Sequence, residues 1–168
     1  NAVVALASGG CAVGGAFDRA IDFGLGLLES AGGLDGFVVR FEDDGRARWA
    51  RRFGSATGSS DVVYDLAARG DEIVMIGTVR GPTDYGLGVV GYGSAREAFV
   101  AGFTLSGETR WVRQYGGDAG DAGTFVIRVA LTSDEVITIG SLNSAVNFSA
   151  GPVAPVGMVD TFLLRLRR

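Results

Sequence analysis

Apolar residues occur along this chain in short runs, and each run ends at Gly, Asp, Ser or another turn-forming residue. That spacing argues for strands rather than helices. In the middle of the sequence it predicts strands over residues 62–67, 72–79, 98–104 and 109–115. The turns Arg69-Gly70-Asp71 and Ser106-Gly107-Glu108 join the first pair and the last pair, and a glycine-rich connection over 80–96 lies between the pairs. Four strands joined mainly by tight turns make one antiparallel module. The N-terminal third repeats the plan over 3–6, 11–17, 37–41 and 47–53, with Asp43-Asp44-Gly45 as a hairpin turn. The C-terminal third shows 124–131, 135–141 and 161–166 and then stops without a Trp-bearing fourth strand, giving eleven strands in all.

The similarity between thirds extends to individual residues. Asp22-Phe23-Gly24 recurs as Asp84-Tyr85-Gly86, and Asp35-Gly36-Phe37-Val38 as Glu97-Ala98-Phe99-Val100. Arg48-Trp49-Ala50-Arg51-Arg52-Phe53-Gly54 returns as Arg110-Trp111-Val112-Arg113-Gln114-Tyr115-Gly116, and every pair is 62 residues apart. A third copy follows at a spacing of 63, with Gly77 answered by Gly140, Tyr85 by Phe148, and Glu97-Ala98-Phe99 by Asp160-Thr161-Phe162. A fixed period of this length is the mark of a repeat architecture. The sequence therefore reads as one segment of three modules, over 1–54, 55–116 and 117–168.

A lone four-stranded sheet exposes an apolar side, so such modules are expected to stack face to face. Radial stacking of four-stranded sheets makes a β-propeller, which needs at least four blades to close. Three modules imply either a ring completed by a second copy or further blades in a longer parent chain. Trp49 and Trp111, with Phe53 and Tyr115 four residues on, share one strand face in each module and are expected to pack between sheets.

The pattern of Trp, aromatic-Gly, Gly-Thr, Asp-aromatic-Gly-x-Gly and Ala-Phe-Val resembles a bacterial β-propeller repeat family abundant in secreted and surface proteins of myxobacteria. The residues that carry it are Trp49 to Gly54, Trp111 to Gly116, Gly77-Thr78, Asp22-Phe23-Gly24-Leu25-Gly26, Asp84-Tyr85-Gly86-Leu87-Gly88 and Ala98-Phe99-Val100. Asn147-Phe148-Ser149 departs from it by losing the acidic residue and the first glycine. The resemblance implies an all-β propeller of four-stranded blades with the third incomplete, and an extracytoplasmic location. It implies no assigned activity.

Composition narrows the chemistry. The 168 residues are 47% hydrophobic, which is enough for a packed core, and the absence of His removes His-based acid–base, nucleophilic and zinc sites. All 15 basic residues are Arg, the net charge is -4, and no basic run suggests nucleic acid. No apolar stretch approaches the length of a membrane span. Cys11 has no partner for a disulfide or a metal and reads as a buried strand thiol.

The acidic residues Asp22, Asp84, Asp35, Glu97 and Asp160 recur with the repeat and sit beside glycines. They are expected to fix turns, like the repeat aromatics Phe37, Phe99 and Phe162 in the core. No cofactor is expected, and calcium is the one cation that acidic loops would suit. The glycines of the 80–96 connection, Gly86, Gly88, Gly91 and Gly93, link strands instead of opening a helix, and the chain has no Lys, so they do not form a phosphate loop.

Asp65 and Arg128 fall at equal places on predicted inner strands and would line a channel with unmatched charge. The function expected is a non-enzymatic binding or scaffold module of a secreted or cell-surface protein, holding a protein or glycan through propeller loops. The alternatives are a glycan hydrolase or lyase with carboxylates in a propeller cleft, and a purely structural oligomeric propeller.

Overall fold

The computed structural model describes residues 1–56, 60–91, 96–116 and 123–167. The chain is all-β, with these strands in order: β1 (Ala2–Ala5), β2 (Cys11–Asp22), β3 (Leu27–Phe41), β4 (Ala47–Phe53), β5 (Val62–Arg69), β6 (Glu72–Arg80), β7 (Thr83–Asp84), β8 (Val89–Val90), β9 (Arg96–Thr104), β10 (Thr109–Tyr115), β11 (Thr124–Leu131), β12 (Glu135–Leu142), β13 (Val146–Asn147), β14 (Pro152–Val153) and β15 (Asp160–Arg167). They form three main antiparallel sheets, β1-β2-β3-β4, β5-β6-β9-β10 and β11-β12-β15, and two small ribbons, β7-β8 and β13-β14. Gly93 and residue 117, where the third module was expected to begin, lie outside the described residues.

The repeat is visible in backbone detail. Strands β5 and β11 each carry a bulge, between Val63 and Asp65 and between Val126 and Arg128, at positions 63 apart. Bulges at Arg48 and Arg110, 62 apart, turn β4 and β10 in the same way and push those two arginines into solvent. The connection between second and third strands is not an irregular loop. In the first sheet, β2 and β3 continue past a bulge into a hairpin tip that pairs Ile21 with Leu28 and Asp22 with Leu27. The ribbon pairs Thr83 with Val90 and Asp84 with Val89, and the pairs Val146 with Val153 and Asn147 with Pro152, are the same tip at the repeat spacing.

The sheets stack. Ile73, Met75, Phe99, Ala101 and Phe103 on one face of the second sheet pack with Ala12, Val38 and Phe53 of the first. On its other face Val74, Ile76, Ala98 and Val100 pack with Val126, Val136, Leu142, Phe162, Leu164 and Leu166 of the third. Each fully buried Ile, Phe or Met contributes about 1.5–3 kcal/mol of transfer free energy, and together these clusters hold the stack.

The expectation of a propeller is not met. Among the described residues all five sheets are open, and none closes into a ring or curls strongly. The outer face of the first sheet, where the sequence suggests a neighbouring blade, is covered by its own hairpin tip. Phe23, at the hairpin tip, folds over that face with its ring 5.1 Å from Phe37 and 6.3 Å from Phe41. Phe17, Phe37 and Val39 are thereby reduced to 7%, 9% and 0% exposure without any further sheet. Three sheets stacked face to face bury the apolar surfaces between them without forming a ring.

The function tied to that ring is corrected with it: among the described residues there is no propeller cleft to hold loops or a carboxylate cluster. Phe23 covers the first sheet, Tyr85 lies between the first and second, and Phe148 between the second and third.

Candidate functional site at the open side of the third sheet

The contact between the first two sheets is a complete joint. Phe53, at the end of β4, stacks on Tyr85 with ring centres 5.7 Å apart and an interplanar angle of 24°, and meets Phe103 at 5.6 Å. The Trp49 indole N–H donates to the Leu105 carbonyl at 2.9 Å. From the same strand face the Arg51 guanidinium donates to the Gly107 carbonyl and Thr109 Oγ1, both at 2.8 Å, and to the Tyr85 carbonyl at 2.9 Å. It also sits 5.7 Å from the Phe53 ring centre and 5.5 Å from that of Phe103, within cation–π range. Burial pulls its pKa below the ordinary arginine value, with Asp84 opposing. Leu105, Gly107 and Thr109 belong to the turn and first residue of the strand that complete the second sheet.

The joint between the second and third sheets begins in the same way and stops short. Tyr115 meets Phe148 at 5.3 Å, as Phe53 meets Tyr85. Among the described residues the third sheet has three strands, and no counterpart of the 105–109 turn lies against Arg113. Arg113, the counterpart of Arg51, is exposed and donates to the Val112 carbonyl at 3.4 Å. The Trp111 indole N–H turns to Glu72 Oε1 at 2.8 Å. A cavity of about 530 Å³ lies there, lined by Glu72, Arg110, Trp111, Arg113, Ser133, Leu166 and Arg167.

The outer face of the third sheet is also uncovered. Ile127, Ile139 and Leu163 are 44%, 40% and 63% exposed, with Arg165 paired to Glu135 at 2.6 Å beside them. The corresponding face of the second sheet, with Val74, Ile76 and Val100, is 0% exposed because the third sheet lies on it.

The residues singled out from sequence divide by role. Asp22 Oδ1 accepts N–H bonds from Gly24, Leu25 and Gly26 at 2.7, 3.2 and 3.1 Å, and Asp84 Oδ1 accepts from Gly86 at 2.7 Å. Both carboxylates hold hairpin tips whose glycines take positive φ, 90° at Gly24 and 94° at Gly86. The third tip keeps the device with other residues. Asn147 Oδ1 accepts from Ser149 N–H at 2.9 Å, and Ser149 adopts φ 76°.

Asp35 is fully buried and accepts from Ala31 N–H at 2.8 Å and Arg52 Nη1 at 2.6 Å, and Glu97 accepts from Gln114 Nε2. Asp160 accepts from Val156 N–H at 2.6 Å. Phe99 lies between the first two sheets, Phe37 under Phe23, and Phe162 against Phe148 at 4.8 Å.

Asp65 and Arg128 are not brought together around a channel. Asp65 Oδ2 accepts the Val129 N–H at 3.0 Å across the sheet joint, while Arg128 donates to the Ile127 carbonyl and lines a surface hollow of about 310 Å³ with Tyr64, Phe125 and Ser141. Among the described residues no group of three or more Asp, Glu or Cys could hold a metal. Nor is any helix there long and apolar enough to cross a membrane.

Sequence reasoning missed Asp61. It is fully buried, and its carboxylate accepts from Arg80 N–H at 2.6 Å and Ser55 N–H at 3.0 Å. Burial raises its pKa above the ordinary carboxylate value against those two bonds. Its partners are backbone amides, and it does not recur with the repeat, so no sequence pattern announces it.

No protein-family model and no curated protein matches the chain. The resemblance to a β-propeller repeat family is corrected accordingly: the open sheets lack that family's ring. The extracytoplasmic setting rested on that resemblance alone.

Proposed function

We propose that this chain is a non-catalytic assembly module that joins another copy of itself through the outer face of its third sheet. The observation that carries the reading is the strip of Ile127, Ile139 and Leu163 on a type of face that, one module earlier, is buried under a sheet. On the outer face of the first sheet the Phe23 tip buries Phe17, Phe37 and Val39, whereas Ile127, Ile139 and Leu163 stand open on the third. The third sheets of two copies therefore meet, with the Glu135–Arg165 pairs at the rim.

A non-catalytic role is supported by the chemistry present. The chain has no His, and the buried carboxylates of Asp35 and Asp61 are engaged with Arg52 and backbone amides.

Sedimentation velocity over a range of concentrations tests the reading. Reversible dimerisation is expected, lost in Leu163→Arg while the far-UV CD spectrum is kept. A strict monomer, or a dimer indifferent to Leu163→Arg and Ile139→Arg alike, would overturn it.

A further inference from the structure

The hollow between the second and third sheets holds polar groups that the fold does not use. It measures about 310 Å³ and is lined by Tyr64 of β5, by Phe125, Val126, Ile127 and Arg128 of β11, and by Ser141 of β12. That size falls at the lower end of small-ligand clefts, which run from about 300 to 1,000 Å³. A bulge stands on each side of it. Tyr64 is the extra residue of β5 and Ile127 that of β11, and a bulge re-aims the side chains around it.

The repeat supplies an internal comparison. Phe125, Arg128 and Ser141 stand 63 residues after Val62, Asp65 and Thr78. Two of those counterparts have structural tasks: Asp65 Oδ2 accepts the Val129 N–H at 3.0 Å, and the Thr78 hydroxyl donates to the Tyr64 oxygen at 3.4 Å. Arg128 and Ser141 have no such tasks. Arg128 Nη1 donates to the Ile127 carbonyl of its own bulge at 2.7 Å, which anchors the guanidinium, and its other N–H groups have no acceptor among the described residues. The Ser141 hydroxyl has no hydrogen-bond partner among them either. Where the second module has Val62, the third has the Phe125 ring, and the Arg96 guanidinium lies 5.1 Å from its centre in a cation–π contact that fixes it.

We infer that this hollow binds a small carboxylic acid with an aromatic body. The free donors of Arg128 take the carboxylate, a charge-assisted pairing for which a planar guanidinium is suited, and the Ser141 hydroxyl adds a donor. The ligand ring lies against Phe125 and Val126. Those apolar walls would strand the hydroxyls of a sugar acid, so the body is aromatic. Asp65, which would repel a carboxylate, does not line the hollow.

Phenylacetate is the probe, titrated into the isotope-labelled chain and followed by amide shifts in two-dimensional NMR. Saturable shifts are expected at residues 64, 125–128 and 141. Phenylacetamide, the same body without the charge, binds about tenfold more weakly, the worth of one charge-assisted contact. Glucuronate gives no saturable shift. Arg128→Gln, at an exposed side chain, brings phenylacetate and phenylacetamide to equal affinity. No saturable shift with phenylacetate, equal binding of phenylacetamide by the wild type, tighter binding of glucuronate, or shifts centred on other residues overturns the inference. Ile127 also belongs to the face proposed for dimerisation, so the same titration is run on Leu163→Arg. Phenylacetate is expected to bind that chain equally well, and the result there decides on the hollow whichever way dimerisation falls.

Discussion

Arg51 and Arg113 are the same residue of the repeat in two different surroundings, so replacing each by Ala compares a complete sheet joint with an incomplete one in a single molecule. Arg51→Ala removes donors from the Gly107 carbonyl, the Thr109 hydroxyl and the Tyr85 carbonyl, and a cation from the rings of Phe53 and Phe103. A hydrogen bond to a charged group contributes about 1.5–3 kcal/mol, but these three share one guanidinium at a half-buried site and do not add. A net loss of about 3 kcal/mol follows. Arg113→Ala removes one long bond to the Val112 carbonyl from an exposed side chain, a change within about 0.5 kcal/mol. Urea unfolding followed by the fluorescence of Trp49 and Trp111 measures both, with equal m-values required for the comparison. Equal costs for the two variants, or a cost below about 1 kcal/mol for Arg51→Ala, would refute the account of the joints.

Other substitutions probe single features. Tyr85 is fully buried, its hydroxyl has no hydrogen-bond partner among the described residues, and Phe holds the equivalent place at positions 23 and 148, so Tyr85→Phe should raise stability by about 1 kcal/mol in urea unfolding. Burial, with Asp61 and Glu97 nearby, also holds the Tyr85 phenol well above its ordinary pKa, so the wild type should lose stability above about pH 10 more steeply than Tyr85→Phe. Ser149 at φ 76° carries left-handed strain that glycine avoids at the other two tips, and Ser149→Gly should raise the melting temperature, corresponding to about 0.5–1 kcal/mol.

Asp61 has a raised pKa, so the folded state holds its proton more tightly than the unfolded state does. Its contribution favours folding most below about pH 4 and declines as pH rises through the raised value. Urea midpoints of wild type and Asp61→Asn from about pH 3 to 7 should show the wild type losing ground with rising pH, and a constant or growing advantage would contradict the assignment.

The strands were legible because both their periodicity and their ends are local. Residues 47–53, 109–115 and 124–131 are strands with the bounds that alternation and turn residues predict. That the third sheet has three strands among the described residues could likewise be read from the absence of a third Trp. The hairpin tips were not legible, since Ile21-Asp22 pairing with Leu27-Leu28 is too short to leave a period and glycine dominates the segment. The open stack was not legible for a non-local reason: a run of residues can show that a face is apolar but not which residues of another module will cover it. Asp22 and Asp84 were readable as turn-fixing residues beside glycines. The Arg beside each Trp could be placed on a strand face, yet its partners lie 56 and 58 residues away in the next module.

Among the described residues β15 is bonded along one edge only, and amide hydrogen exchange of this chain reads that directly. In β9, bonded on both sides, protection should run through consecutive amides, while in β15 those not bonded to β12 should exchange at rates near those of an open edge. Uniform protection of β15 equal to that of β9 would mean that its outer edge is already paired, and the central claim would fail.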